Sequence, residues 1–199
     1  MRNLLFALLI MLLPMVTMAD DCGFCGGNLE YTFVTSTGTL TISGTGNMEW
    51  YNSYSDIPWY SYRSSIINVE ISEGVTSIGR YAFYECIGLT SITIPQSATY
   101  IDHYAFCGCS SLTSITIPES VTSMGFYPFN GCTSLPVEGN VRYADKWAVG
   151  VDNFSLSTYT LRNDTKGLVN TFNSCSNLTS INIPESVTYI GVSAFYGCI

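Results

Sequence analysis

Apolar and polar residues alternate over short stretches of this chain, and the stretches return with a period of 23 residues. Leu89-Thr-Ser-Ile-Thr-Ile-Pro95 recurs as Leu112-Thr-Ser-Ile-Thr-Ile-Pro118 and again as Leu178-Thr-Ser-Ile-Asn-Ile-Pro184. Leu, Ile and Ile on alternate positions predict a short strand with one face inward, and the proline ends it by removing a backbone donor. A second apolar pair follows, Val121 and Met124 in one copy, then Gly125, read as permitting a turn with positive φ. Phe129 and Cys132 close that coil inward. The same places hold Val75, Ile78, Phe83 and Cys86 in the coil from Ile66 to Gly88, and Val187, Ile190, Phe195 and Cys198 in the last copy. A shorter copy from Tyr159 to Asn177 uses Leu161, Leu168, Phe172 and Cys175.

A coil of this length cannot bury its apolar residues alone, so the coils must stack and share one interior. The predicted fold is mainly β, a solenoid of 23-residue coils. At about 4.8 Å per strand, five coils span roughly 25 Å. The array occupies residues 66–199, preceded by a cap over 20–65. In the cap, Leu29, Tyr31 and Phe33, then Leu40 and Ile42, alternate with polar residues around Thr35-Ser-Thr-Gly38 and predict a β-hairpin. Trp50, Trp59 and Tyr60 are expected to help it cover the first coil, although with Tyr51, Tyr54 and Tyr62 they also suit a sugar-binding platform. Between Leu135 and Leu178 the spacing is 43 residues, and Val141–Ala144 and Trp147–Val151 flank Asp145-Lys146 as a hairpin would. An inserted hairpin is therefore expected over about 135–158.

The unit Leu-x-x-Ile-x-Ile-Pro-x-Ser-Val-x-x-Ile-Gly-x-x-Ala-Phe-x-x-Cys resembles the BspA-like leucine-rich repeat, over about residues 66–199. Departures fall at Asp102, where the unit has Gly, and at Pro128, where it has Ala. The resemblance implies a surface or secreted protein of host-associated microbes, in some members an adhesin for host matrix proteins or other cells.

Residues 1–19 read as a secretory signal, with Arg2 before an apolar run that ends at Ala19. Composition agrees with export to an oxidising, β-rich setting: only 11% of residues are charged, and the formal net charge is −8. Scattered acidity disfavours nucleic acid and anionic membrane as partners, and no stable span is expected once the signal is removed. Eight cysteines in an exported chain invite disulfides, yet five hold one repeat position. Adjacent coils would keep their Cβ atoms about 4.8 Å apart, beyond the roughly 3.5–4.5 Å a disulfide prefers. Free, core-filling thiols are expected there. Cys107 belongs to no column, and Cys22 and Cys25 form a lone Cys-x-x-Cys without a second pair at zinc spacing.

Catalytic groups are sparse. The single histidine, His103, is read as an exposed loop residue, pointing away from its neighbour Asp102. No metal, no cofactor and no enzyme activity is expected. The hydroxyl rows Thr90, Ser91, Thr93 and Thr113, Ser114, Thr116, with Thr179, Ser180 and Asn182, form a polar strand face. Tyr100, Tyr189 and Trp147 are the aromatic anchors expected to meet a ligand. The functional expectation is an adhesin or recognition module for host extracellular-matrix proteins, glycans or other cells; the alternative is a structural spacer that presents another domain. Because the last coil stops at Ile199, directly after its column cysteine, the chain is expected to be a fragment or to associate end to end.

Overall fold

The structure, a computed structural model, describes residues 19–199. The predicted export signal thus lies outside the described residues, except for its final Ala19. Strands β1 (Asp21–Gly26), β2 (Leu29–Val34) and β3 (Thr39–Gly44) form an antiparallel meander. The hairpin β2–β3 falls where the alternation places it, and β1 is an additional strand on its edge. A two-residue strand, β4 (Gly46–Asn47), follows, and β5 (Asn68–Ile71) and β6 (Val75–Ile78) begin the array. β3 pairs in parallel with β5 and β4 with β6, so the cap supplies the first strand of both solenoid sheets. Its aromatic contribution is Trp59, fully buried, whose indole N–H donates to the Ala82 carbonyl at 2.7 Å.

The next coils add β7 (Ser91–Thr93) and β9 (Ser114–Thr116) to one side, β8 (Tyr100–Ile101) and β10 (Ser123–Met124) to the other. The register is that of the repeat: Ile92 opposite Ile115, and Ile78, Ile101 and Met124 in line. Between strands, the turns stack through their own backbone. The N–H groups of Tyr81, Phe83 and Glu85 donate to the carbonyls of His103, Ala105 and Cys107 at 3.1, 2.7 and 2.8 Å. Tyr104, Phe106 and Gly108 repeat this to Phe126, Pro128 and Asn130 at 2.9, 2.8 and 2.7 Å. Inside lie the columns: Trp59, Phe83, Phe106 and Phe129 stack with centroids 6.4, 5.1 and 5.3 Å apart. The cysteines beside them are free, and the Cys109 and Cys132 thiols each donate to the phenylalanine carbonyl of the preceding coil at 3.0 Å.

One local expectation is corrected. Gly125 does not take a positive φ; a Cβ there would lie 2.5 Å from the His103 nitrogen, so glycine is needed for close approach of adjacent coils. The left-handed residues stand elsewhere in the turn, at Tyr81 (φ 61°), Tyr104 (58°), Tyr127 (50°) and Asn170 (55°).

The insertion does not loop out. β11 (Val137–Glu138), β12 (Val141–Ala144) and β13 (Trp147–Val151) form a meander with Asp145-Lys146 at its second turn. The last two coils contain β14 (Thr158–Thr160), β15 (Gly167–Leu168), β16 (Ser180–Asn182) and β17 (Tyr189–Ile190). β14 pairs with β16, while β13, β15 and β17 form one parallel run, so β13 takes the place of a coil strand. The core divides there: one cluster runs from the cap through Phe129 to Trp147, and another holds Tyr159, Phe172 and their neighbours. Rings in the second column are 5.1 Å apart from Tyr159 to Phe172 and 5.4 Å from Phe172 to Phe195.

Candidate functional site

At the break, side chains take over from missing backbone rungs. The Ile117 N–H, whose counterpart Ile94 donates to the next coil, donates instead to the Asp145 carboxylate at 2.8 Å. The Met124 carbonyl accepts from the Tyr189 hydroxyl at 2.8 Å, where the equivalent Ile101 carbonyl accepts the Gly125 N–H. The Tyr127 N–H donates to the Asn170 side chain at 2.7 Å, and the Asn173 amide returns a bond to the Tyr127 hydroxyl at 3.1 Å. Glu119 is held by Lys146 and Lys166 at 2.6 and 2.9 Å, which draws its carboxyl down to about 2. Two cavities with apolar lining residues border this joint. The smaller, about 220 Å³, is lined by Tyr100, His103, Phe126, Tyr189 and Val192 among others. The larger, about 690 Å³, lies between the turn Tyr127–Thr133 and the turn Val169–Ser174, with β13 and Phe154 beside it.

Of the three predicted anchors, the structure brings Tyr100 and Tyr189 together in the smaller cavity. Tyr189 serves chiefly as a latch on Met124; Tyr100 is half-buried, its hydroxyl 3.4 Å from Asp102, and burial first, then the Asp102 charge, pushes its pKa up to about 12. Trp147 is corrected: only 1% of it is exposed, so it cannot reach a ligand. Its ring lies over Gly167, where a Cβ would come within 2.4 Å of it, and meets Tyr189 edge-on at 5.7 Å. The bare glycine in β15 makes the room that draws the indole inward. His103 is corrected too, since it is half-buried and its Nδ1 pairs with the Asp102 carboxylate that was expected to point elsewhere.

A larger aromatic feature went unread in the sequence. Tyr60, Tyr54, Tyr84, Tyr81, Tyr104 and Tyr127 form one connected ridge along the outside of the turns, from cap to break. Tyr54 stacks on Tyr84 at 4.9 Å, Tyr81 on Tyr104 at 5.3 Å and Tyr104 on Tyr127 at 6.0 Å. Arg80 bridges Tyr81 to Trp50, which is 57% exposed and so stands outside the cap core that it was expected to join. The signal was available: Tyr81, Tyr104 and Tyr127 precede Ala-Phe, Ala-Phe and Pro-Phe at the repeat period. Tyrosine with a left-handed backbone is strained by about 1–3 kcal/mol, which Asn or Gly largely avoids. Asn170 occupies the equivalent place in the fourth coil.

Chemistry of other kinds has little to work with. Burial pushes the Cys25 and Cys86 thiols up to about 12, away from the nucleophilic thiolate. Among the described residues no cluster of three or more His, Cys, Asp or Glu is placed to hold a metal, and no helix is long and apolar enough to cross a membrane.

Residues 55–164 and 140–199 match the family described as the BspA type leucine-rich repeat region, in six copies. Among solved structures, a leucine-rich repeat protein from Eubacterium ventriosum is 23% identical with a TM-score of 0.52, over 89% of this chain and 63% of that one. A leucine-rich repeat protein from Bacteroides ovatus is 19% identical (TM-score 0.43, 84% and 55%). A leucine rich cell surface protein from Faecalibacterium prausnitzii is 20% identical (TM-score 0.31, 91% and 74%). No functionally curated protein matches the sequence. The chain therefore spans less than two thirds of the first of these structures, and that likeness concerns the fold. With in-register coils, paired phenylalanine and cysteine columns and a family match over most of its length, the chain belongs to the BspA-type leucine-rich repeat family.

Proposed function

We propose that this protein is a secreted or cell-surface recognition module, without enzymatic activity of its own, that binds host matrix proteins or glycans through broad contacts along the solenoid. The tyrosine ridge is the observation that carries the reading. Tyrosines offer large, rigid, amphipathic contact area, and stacked rings on a half-exposed ridge suit sugar faces and flat protein epitopes. The left-handed backbone of Tyr81, Tyr104 and Tyr127 adds weight: strain held at the same half-buried surface place in successive coils argues for a use at those positions. A predicted export signal and the low, acidic charge support the location.

The purified chain should be retained on arrays of matrix proteins and glycans. The double variant Tyr81→Asn, Tyr104→Asn should weaken retention at least about tenfold, the effect of losing two anchor residues. Its stability should stay near that of the parent, because relief of the backbone offsets the lost stacking. Tyr100→Ala tests whether the smaller cavity contributes. Absence of retention on every surface would favour a spacer that presents another domain, and a double variant that unfolds without a binding defect in its folded fraction would make the ridge structural.

A further inference from the structure

The larger cavity has a feature that the rest of the break lacks. In the first turns, alternate N–H groups of one coil donate to alternate carbonyls of the next. In the third coil the equivalent donors are Tyr127, Phe129 and Gly131, and the fourth coil's equivalent acceptors are Val169, Thr171 and Asn173. Asn170 satisfies the first donor with its side chain. Among the described residues, the N–H groups of Phe129 and Gly131 have no protein partner, and neither have the carbonyls of Thr171 and Asn173. All four residues line the same cavity. One wall thus offers two donors and the other two acceptors, with the spacing of a turn that has been left out of the stack.

We propose that this cleft binds a short peptide segment from a partner protein, which takes the place of the missing turn. The neighbouring coils define its form. In Ala105-Phe106-Cys107-Gly108 the first and third carbonyls accept from the coil before, and the second and fourth N–H groups donate to the coil after. Four residues in that conformation would meet Phe129 and Gly131 on one side and Thr171 and Asn173 on the other. The second residue is apolar, because Phe129, Val149, Val151 and Phe154 lie beside it. Phe154, 53% exposed, adds accessible apolar surface to the cleft lining. The fourth residue takes a left-handed φ, which glycine adopts most readily: Gly108 and Gly131 hold 81° and 79° at that place, and Glu85 and Ser174 hold 55° and 65°. The cavity, about 690 Å³, falls within the range of binding pockets. Recognition through main-chain hydrogen bonds with one side-chain pocket is a known mode of peptide capture by β structure.

The probe is a synthetic peptide that copies Tyr104–Cys109 with serine for both cysteines, labelled for fluorescence anisotropy against the full chain. It should bind saturably and protect the Phe129 and Gly131 amides from hydrogen exchange. Methylating the peptide nitrogens at the second and fourth places of its tetrapeptide core should weaken binding at least about tenfold, since each buried N–H lost removes a bond. Gly150→Trp should abolish binding; Gly150 lines the cleft, and a Cβ there meets nothing within 4 Å, so the substitution fills the cleft without disturbing the fold. An unchanged melting temperature checks that, and a Phe154→Asp variant, at a cleft residue that is already exposed, gives a second test if it fails. Binding that survives methylation or Gly150→Trp overturns the proposal, as does absence of binding and of amide protection at millimolar peptide. Concentration-dependent self-association that Gly150→Trp abolishes would also overturn it, making the occupant a second copy. The tyrosine-ridge variants leave this site intact, so failure here and failure of the recognition reading are separable.

Discussion

The three coils before the insertion and the two after it are written in the same repeat, yet only the first three repeat as structure without interruption. In the first stack the first two turns each hand three backbone hydrogen bonds to the next, Phe83 and Phe106 lie between rings, and the Cys109 and Cys132 thiols find the carbonyl of the coil before them. In the second stack, Phe172 and Phe195 keep the column and Cys198 donates to Phe172, but Cys175 has no coil directly before it and is met by the Tyr159 hydroxyl at 3.6 Å instead. A repeat sequence thus sets the content of a coil, whereas its energy depends on a neighbour in register. Where the neighbour is missing, single side chains such as Asp145, Asn170 and Tyr189 stand in for it.

The largest test of that comparison is a matched pair of truncations. Phe106 is fully buried between two rings, so Phe106→Ala should cost about 3–5 kcal/mol. Phe195 is half-buried with one ring partner, and Phe195→Ala should cost no more than half as much. Urea denaturation reads both. Equal losses would mean that position in the stack does not matter, and two separate transitions would show that the stacks unfold as independent units.

How far each feature was legible follows the same division. The columns of Phe83, Phe106 and Phe129, the free thiols and the strand register could be read because they depend only on the period. The hairpin around Asp145-Lys146 was legible from local alternation. That it extends the sheet of a coil is the favoured reading of the insert; that β13 takes the place of a coil strand was not legible, because it depends on Gly167 clearing space for Trp147. Strand β1 escaped notice because two of its six residues are glycine and Phe24 is its only β-favouring side chain, a composition that weakens any strand signal. The tyrosine ridge was periodic and visible, but its residues point outward, where apolar patterning does not look.

A middle-sized effect separates the stacks by pH. Burial pushes Cys86 up to about 12 from an ordinary value of 9.0. A group whose folded pKa is raised gives its full stability below the unfolded value, and that stability falls as pH rises through the window from about 9 to 12. At about 1.4 kcal/mol per unit, the chain should lose roughly 2 kcal/mol from this thiol between pH 8 and 10.5. Buried tyrosines such as Tyr31 and Tyr100 shift the same way, so the comparison is with Cys86→Ala, which should flatten the pH dependence by about that amount. In the second stack burial also raises Cys175, which is less deeply buried, so Cys175→Ala is the matching variant and should flatten the profile less. Equal flattening by the two variants would mean that the two stacks do not differ in this respect.

The smallest effect concerns the clip across the break. Lys146 and Lys166 hold Glu119 through hydrogen bonds and charge, lowering its carboxyl to about 2, so the stabilisation is complete above its usual value of 4.5 and is lost as pH falls through about 2. Glu119 is 70% exposed, and solvent screening keeps the clip weak. Glu119→Gln should lower the melting temperature by under about 2 °C at low salt, with no difference from the parent in 1 M salt. Its local effect should be clearer, because Lys166 leads directly into β15 and also donates to the Glu119 carbonyl at 2.7 Å. Amides of β15 and β17 should exchange faster in the variant while those of β8 and β10 stay unchanged. If β15 and β17 are unaffected, the second stack is held to the first by Asp145, Trp147, Asn170, Asn173 and Tyr189 without it, and the ion cluster is only a feature of the surface.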